Sequence, residues 1–79
     1  MSEPSRDLGP QPLAERMAER GLEPKHLVAA SEEQLTHKMV TRAMKGRRLT
    51  ANTMGKVVRA WGRATDEPAG ADELFDYRP

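Results

Sequence analysis

Proline and glycine interrupt this chain at short intervals, and that punctuation restricts it to a bundle of short helices. Pro4, Gly9, Pro10 and Pro12 break the first twelve residues, which read as a flexible arm over residues 1–11. Pro12 suits a first helical turn, where its missing N–H would have had no partner. From Leu13 the spacing becomes helical, with Leu13, Ala14, Met17 and Ala18 on one side and Glu15, Arg16, Glu19 and Arg20 on the other. Gly21 is expected to end this helix in a left-handed cap. Pro24 can open a second helix carrying Leu27 and Val28. A third contains THKMVTRAMK and stops at Gly46. Thr50 or Asn52 would cap a fourth, in which Met54, Val57, Val58 and Trp61 share a face. Gly62 weakens its end, Gly55 leaves room for a neighbouring helix, and Pro68 and Gly70 close the ordered part. Strand signals are absent. The expected fold is therefore all-α, a small bundle of four to five short helices over residues 12–64, followed by an acidic tail at residues 65–79.

At 79 residues without cysteine, the chain has a modest core and neither a disulfide nor a thiolate metal site to reinforce it. His26 and His37 are the only nitrogen ligands, with no acid placed beside them for a metal site, so they read as surface histidines. No apolar run approaches the roughly 18 residues of a membrane span. The opening MSEPSRDLGPQP is polar and lacks the apolar core of a signal peptide. The expectation is a soluble, cytoplasmic protein. No nucleophile has a plausible base, and no glycine-rich phosphate loop precedes a helix, so neither an enzyme nor a cofactor is expected.

Charge separates along the chain. Residues 13–64 carry eleven Lys/Arg against five Glu, whereas residues 65–79 carry five acids against Arg78. The basic excess concentrates on the third helix. Its apolar half holds Leu35, Met39, Val40, Ala43 and Met44, and its other half holds His37, Lys38, Thr41, Arg42 and Lys45. No carboxylate occurs from residue 36 to residue 48. Ordinary solvated faces mix signs, as the first helix does; a face of one sign suits a polyanion, because cations that neutralise phosphates release condensed counterions. Ser31 and Gln34 have the spacing of a capping box. Glu32 and Glu33 would nevertheless fall in the apolar half if the helix began there, so it is expected to begin around Thr36.

The stretches MAERGLEPKHLV, LTHKMVTRAMKGRR and NTMGKVVRAWG together resemble the phage-repressor type of helix-turn-helix domain, the Cro-like or Xre family, over roughly residues 13–62. The resemblance implies a lambda-repressor-like fold in which the second helix crosses the DNA backbone and the third enters the major groove. By that resemblance Thr36, His37, Lys38, Thr41 and Arg42 match DNA-facing positions, and Lys45, Arg47 and Arg48 match the turn that approaches phosphates. Leu27, Val40, Met54, Val57 and Trp61 match core positions. The chain departs from the family pattern at Pro24, where a phosphate-contacting Gln is usual; Lys25 is the neighbouring charge that could stand in. The turn AASEEQL is also longer than usual, and its two acids would lie near any bound DNA, where they would repel phosphates.

The resulting expectation is a sequence-specific binder of double-stranded DNA, a small transcriptional regulator. It would work as a homodimer reading two half-sites or with a partner protein. The alternative from another class is a protein-interaction module on the same fold that does not bind DNA. The tail ADELFDYRP bears on that choice. Leu74, Phe75 and Tyr77, set among acids, could belong to a disordered segment, a docking peptide for a partner, a dimer strap, or a strap over the chain's own basic face. RNA is a lesser candidate, for want of an exposed aromatic set on which unpaired bases stack.

Overall fold

A computed structural model describes residues 9–77, which form five helices. The first, α1 (Pro12–Glu19), starts on its proline. It ends in a Schellman turn, with the Leu22 N–H donating to the Met17 carbonyl at 2.8 Å and the Gly21 N–H to Ala18 at 3.1 Å. Gly21 lies at φ +66°, the left-handed conformation that the sequence led us to expect. Helix α2 (Pro24–Ala30) also opens on a proline, and His26 Nδ1 accepts the Glu23 N–H at 2.8 Å.

Helix α3 (His37–Lys45) is capped by Thr36, whose hydroxyl oxygen accepts the Met39 N–H at 3.1 Å. Ser31 takes no part in that cap. Its hydroxyl closes a local turn on Glu33, accepting the N–H at 3.0 Å and donating to the carbonyl at 3.1 Å. The helix therefore begins where its apolar phase requires. Helix α4 (Ala51–Thr65) is capped by Thr50, which accepts the Thr53 N–H at 3.2 Å. It runs through Gly62 to Thr65 and ends on Asp66 at φ +59°. Gly55 admits no neighbouring helix; its closest surroundings are the Arg59 side chain of α4 itself. A single turn, α5 (Ala71–Leu74), completes the described chain.

Helix α2 packs against α3 and α4, α1 against α3 and α5, and α5 also against α4. The expected core positions Leu27, Val40, Met54, Val57 and Trp61 are all buried, Trp61 to 1% exposure. Met17 and Met54 fill the interior, whereas Met39 and Met44 lie half-buried at its margin. Among the described residues, no helix is long and apolar enough to cross a membrane.

Both chain ends depart from expectation. Residues 1–8 of the expected arm lie outside the described residues. Residues 9–11 are not an arm, because Gln11 is 1% exposed and every polar group of its side chain is used. Its N–H donates to the Met44 carbonyl at 3.1 Å, its Oε1 accepts the Asp76 N–H at 2.8 Å, and its Nε2 donates to the Gly9 carbonyl at 3.0 Å. The ordered part does not close at Pro68–Gly70 either. Leu74 and Phe75 are 0% and 1% exposed, so the folded unit extends past residue 64. The reason is apolar burial: α5 lies on α1 and α4 and covers surface that four short helices would leave wet.

Gly46 marks the tightest approach. It is buried at φ +89°, and a Cβ there would stand 1.8 Å from the Gly9 carbonyl oxygen. Gly21 is also left-handed but has nothing within 4 Å of its Cβ position. Gly46→Ala is expected to lower the unfolding free energy by about 2–4 kcal/mol, combining the left-handed penalty with displacement of backbone. Gly21→Ala should cost only about 1 kcal/mol. Urea denaturation of the two variants checks this; equal losses would contradict the close approach.

Candidate nucleic-acid interface

Helix α3 is oriented by its core side. Val40 and Ala43 are fully buried, and at 3.6 residues per turn this directs His37, Lys38, Arg42 and Lys45 into solvent, with Thr41 half-buried between them. With Arg47, these five residues line an open depression of about 510 Å³. Six of the nine expected contact residues are thus brought together by one helix and the residue after its cap. The remaining three are placed differently. Thr36 is exposed, and its hydroxyl oxygen is engaged in the α3 cap. Lys25 is exposed in the first turn of α2 and does not line the depression. Arg48 is exposed but holds its guanidinium 5.3 Å over the Tyr77 ring, a cation–π contact.

The acids of the α2–α3 turn do not share this face. Glu33 takes two hydrogen bonds from Arg59, at 2.6 and 2.8 Å, and Glu32 pairs with Arg63 at 3.1 Å. Arg59 and Arg63 stand four residues apart on α4, so both reach the same turn. The hydrogen bonds from Arg59 hold the Glu33 carboxyl below the usual carboxylate range, and Glu33 in turn raises the Arg59 guanidinium. Both acids are thus paired with arginines of α4. Arg20 of α1 is likewise paired, with Glu67, and lies 5.2 Å from the Trp61 ring. Among the described residues, no carboxylate pairs with Lys38, Arg42, Lys45 or Arg47. Exposed pairs of this kind add little stability. What they do is engage Arg20, Arg59 and Arg63 with glutamates, whereas the cations of the α3 face have no such partner among the described residues.

The C-terminal end of α3 is satisfied by its own Schellman turn and by both ends of the chain. The Arg47 N–H donates to Arg42 at 2.9 Å, the Gly46 N–H to Ala43 at 3.3 Å, and the Gln11 N–H to Met44 at 3.1 Å. The Tyr77 hydroxyl accepts the Leu49 N–H at 2.8 Å and donates to the Arg47 carbonyl at 3.2 Å. Burial raises the Tyr77 hydroxyl above its ordinary range, so it keeps the proton it donates. The Phe75 ring meets Tyr77 edge to face at 5.8 Å. Sequence reading named neither Gln11 nor the role of Tyr77. A Gln between two prolines carries no local signal of burial, and an aromatic among acids carries none of its partner.

The face offers hydrogen-bond donors and positive charge. The chain matches no protein-family model, no curated protein and no solved structure.

Proposed function

We propose that this chain binds double-stranded DNA as a small cytoplasmic regulator of helix-turn-helix type, with α3 entering the major groove. The observation that carries this is the basic face of α3: four cations, a His and a Thr line one depression and pair with no acid among the described residues, while Arg20, Arg59 and Arg63 outside it are each paired with a glutamate. The dimensions suit it. An α-helix with its side chains is about 10–12 Å across, and the major groove of B-DNA is about 12 Å wide and admits one. His37 and Lys38 occupy the first turn, where the helix dipole also favours a phosphate. Thr41 and Arg42 are side-chain types that reach base edges.

One copy contributes only a short contact, so specific binding calls for two copies on half-sites about one helical turn apart, or for a partner subunit. The protein-interaction alternative drew its support from Pro24, which opens α2 where a phosphate-contacting Gln is usual, and from an acidic turn and an aromatic tail. The turn's acids are paired with arginines of α4, and the tail's Leu74 and Phe75 are buried in the chain's own core. The test is amide chemical-shift mapping with a mixed-sequence duplex. Shifts are expected at residues 36–48 and not along α1 or the exposed side of α4. Shifts centred on α1 and α5, with α3 silent, would contradict the proposal.

A further inference from the structure

The link from α3 to α4 is short and irregular: Gly46 in the left-handed conformation, then Arg47, Arg48 and Leu49 before the Thr50 cap. A single side-chain hydroxyl spans it. Tyr77, 28 residues from Leu49 and 30 from Arg47 in sequence, accepts the N–H of the first at 2.8 Å and donates to the carbonyl of the second at 3.2 Å. Its ring lies under the Arg48 guanidinium at 5.3 Å. The tail that carries it cannot swing freely, because Leu74 and Phe75 are buried and the Asp76 N–H is held by Gln11 at 2.8 Å. Tyr77 is thus the outer end of an anchored segment, with its polar atom applied to the backbone from which Arg47 and Arg48 project.

An unanchored link would have to order its backbone each time an arginine docked on a phosphate, and each ordered residue carries an entropic cost. A link already held in one conformation avoids that cost, which is how preorganisation raises affinity. We infer that Tyr77 is a positioning residue for phosphate contact: its hydroxyl fixes the Arg47–Leu49 link so that Arg47 completes the α3 face and Arg48 stands beside it. This rests on the DNA-binding proposal. It assigns the acidic C-terminal segment a role in support of binding, the reverse of a strap that competes with DNA for the basic face.

The test uses the full chain and a labelled random-sequence duplex, comparing wild type, Tyr77→Phe, Arg47→Ala/Arg48→Ala and the triple variant by fluorescence anisotropy over a range of salt. Tyr77→Phe keeps the ring and its place against Phe75 and removes only the hydroxyl. At about 0.1 M salt it is expected to weaken binding roughly five- to tenfold, and to reduce the slope of log Kobs against log salt by about one phosphate contact. Circular dichroism should show it folded at the assay temperature. In the Arg47→Ala/Arg48→Ala background the same substitution should change affinity by less than about twofold, because the groups it positions are gone. A Tyr77→Phe variant that binds with wild-type affinity and slope overturns the inference and leaves the DNA proposal standing. So does a loss that persists undiminished in the Arg47→Ala/Arg48→Ala background, which would mark a general effect on the fold. If wild type binds no duplex at any salt, the DNA proposal fails and the inference falls with it.

Discussion

Phe75→Ala is expected to lower the unfolding free energy by about 3–5 kcal/mol, the range for truncating a fully buried aromatic side chain. The domain as a whole has on the order of 4–12 kcal/mol to lose, at 0.05–0.15 kcal/mol per residue. One substitution in what reads as a tail would therefore remove a large share of the protein's stability. The reason is geometric: Phe75 is 1% exposed, Leu74 beside it is fully buried, and the turn of α5 that carries them packs on α1 and α4 together. Asp76→Ala, at an exposed neighbouring residue whose backbone N–H alone is engaged, should change stability by less than about 0.5 kcal/mol. Urea melts of both variants check the contrast. A Phe75→Ala protein as stable as wild type would mean that the segment does not close the core.

Lys38→Ala combined with Arg42→Ala carries the second large effect, this time on binding. The two side chains lie in one depression on successive turns of α3 and pair with no acid among the described residues. If each contributes a base-edge or phosphate contact of about 1–2 kcal/mol, the double variant should bind duplex DNA about 100-fold more weakly. Its stability should stay within about 0.5 kcal/mol of wild type, since both residues are exposed. Arg59→Ala/Arg63→Ala removes the same formal charge from α4. Those guanidiniums are held by Glu33 and Glu32, and at about 0.15 M salt charges more than roughly 8 Å away are screened. That variant should lose less than about fivefold. Anisotropy titrations of the two double variants decide it; equal losses would mean that only net charge matters and that α3 is no special face.

The helices were legible in the sequence because their ends are marked by residues with one physical use each. Pro12 and Pro24 start helices, Gly21 and Gly46 end them with positive φ, and Thr50 caps one. The basic face of α3 was legible for a similar reason: a period of 3.6 with Val40 and Ala43 inward leaves the polar residues no other side. The direction of the turn acids was not legible. Sequence gives Glu33 a charge but cannot say that Arg59, 26 residues on, is its neighbour. Gln11 and the tail failed for the same cause at longer range, since the Gln11 side chain meets a backbone group 65 residues away. Apolar residues interleaved with acids, as at Leu74, Phe75 and Tyr77, fit a docking peptide and a core-closing segment equally well. Only the packing of α5 on α1 and α4 distinguishes them.

The most direct test of the basic face is fluorescence anisotropy of a labelled random-sequence duplex, titrated with the full chain at several salt concentrations. A DNA-binding α3 predicts micromolar or tighter binding at low salt, with log Kobs falling linearly against log salt at a slope of several phosphate contacts. No binding at the lowest salt, or binding indifferent to salt, would contradict it and leave the α3 face as a solvated surface.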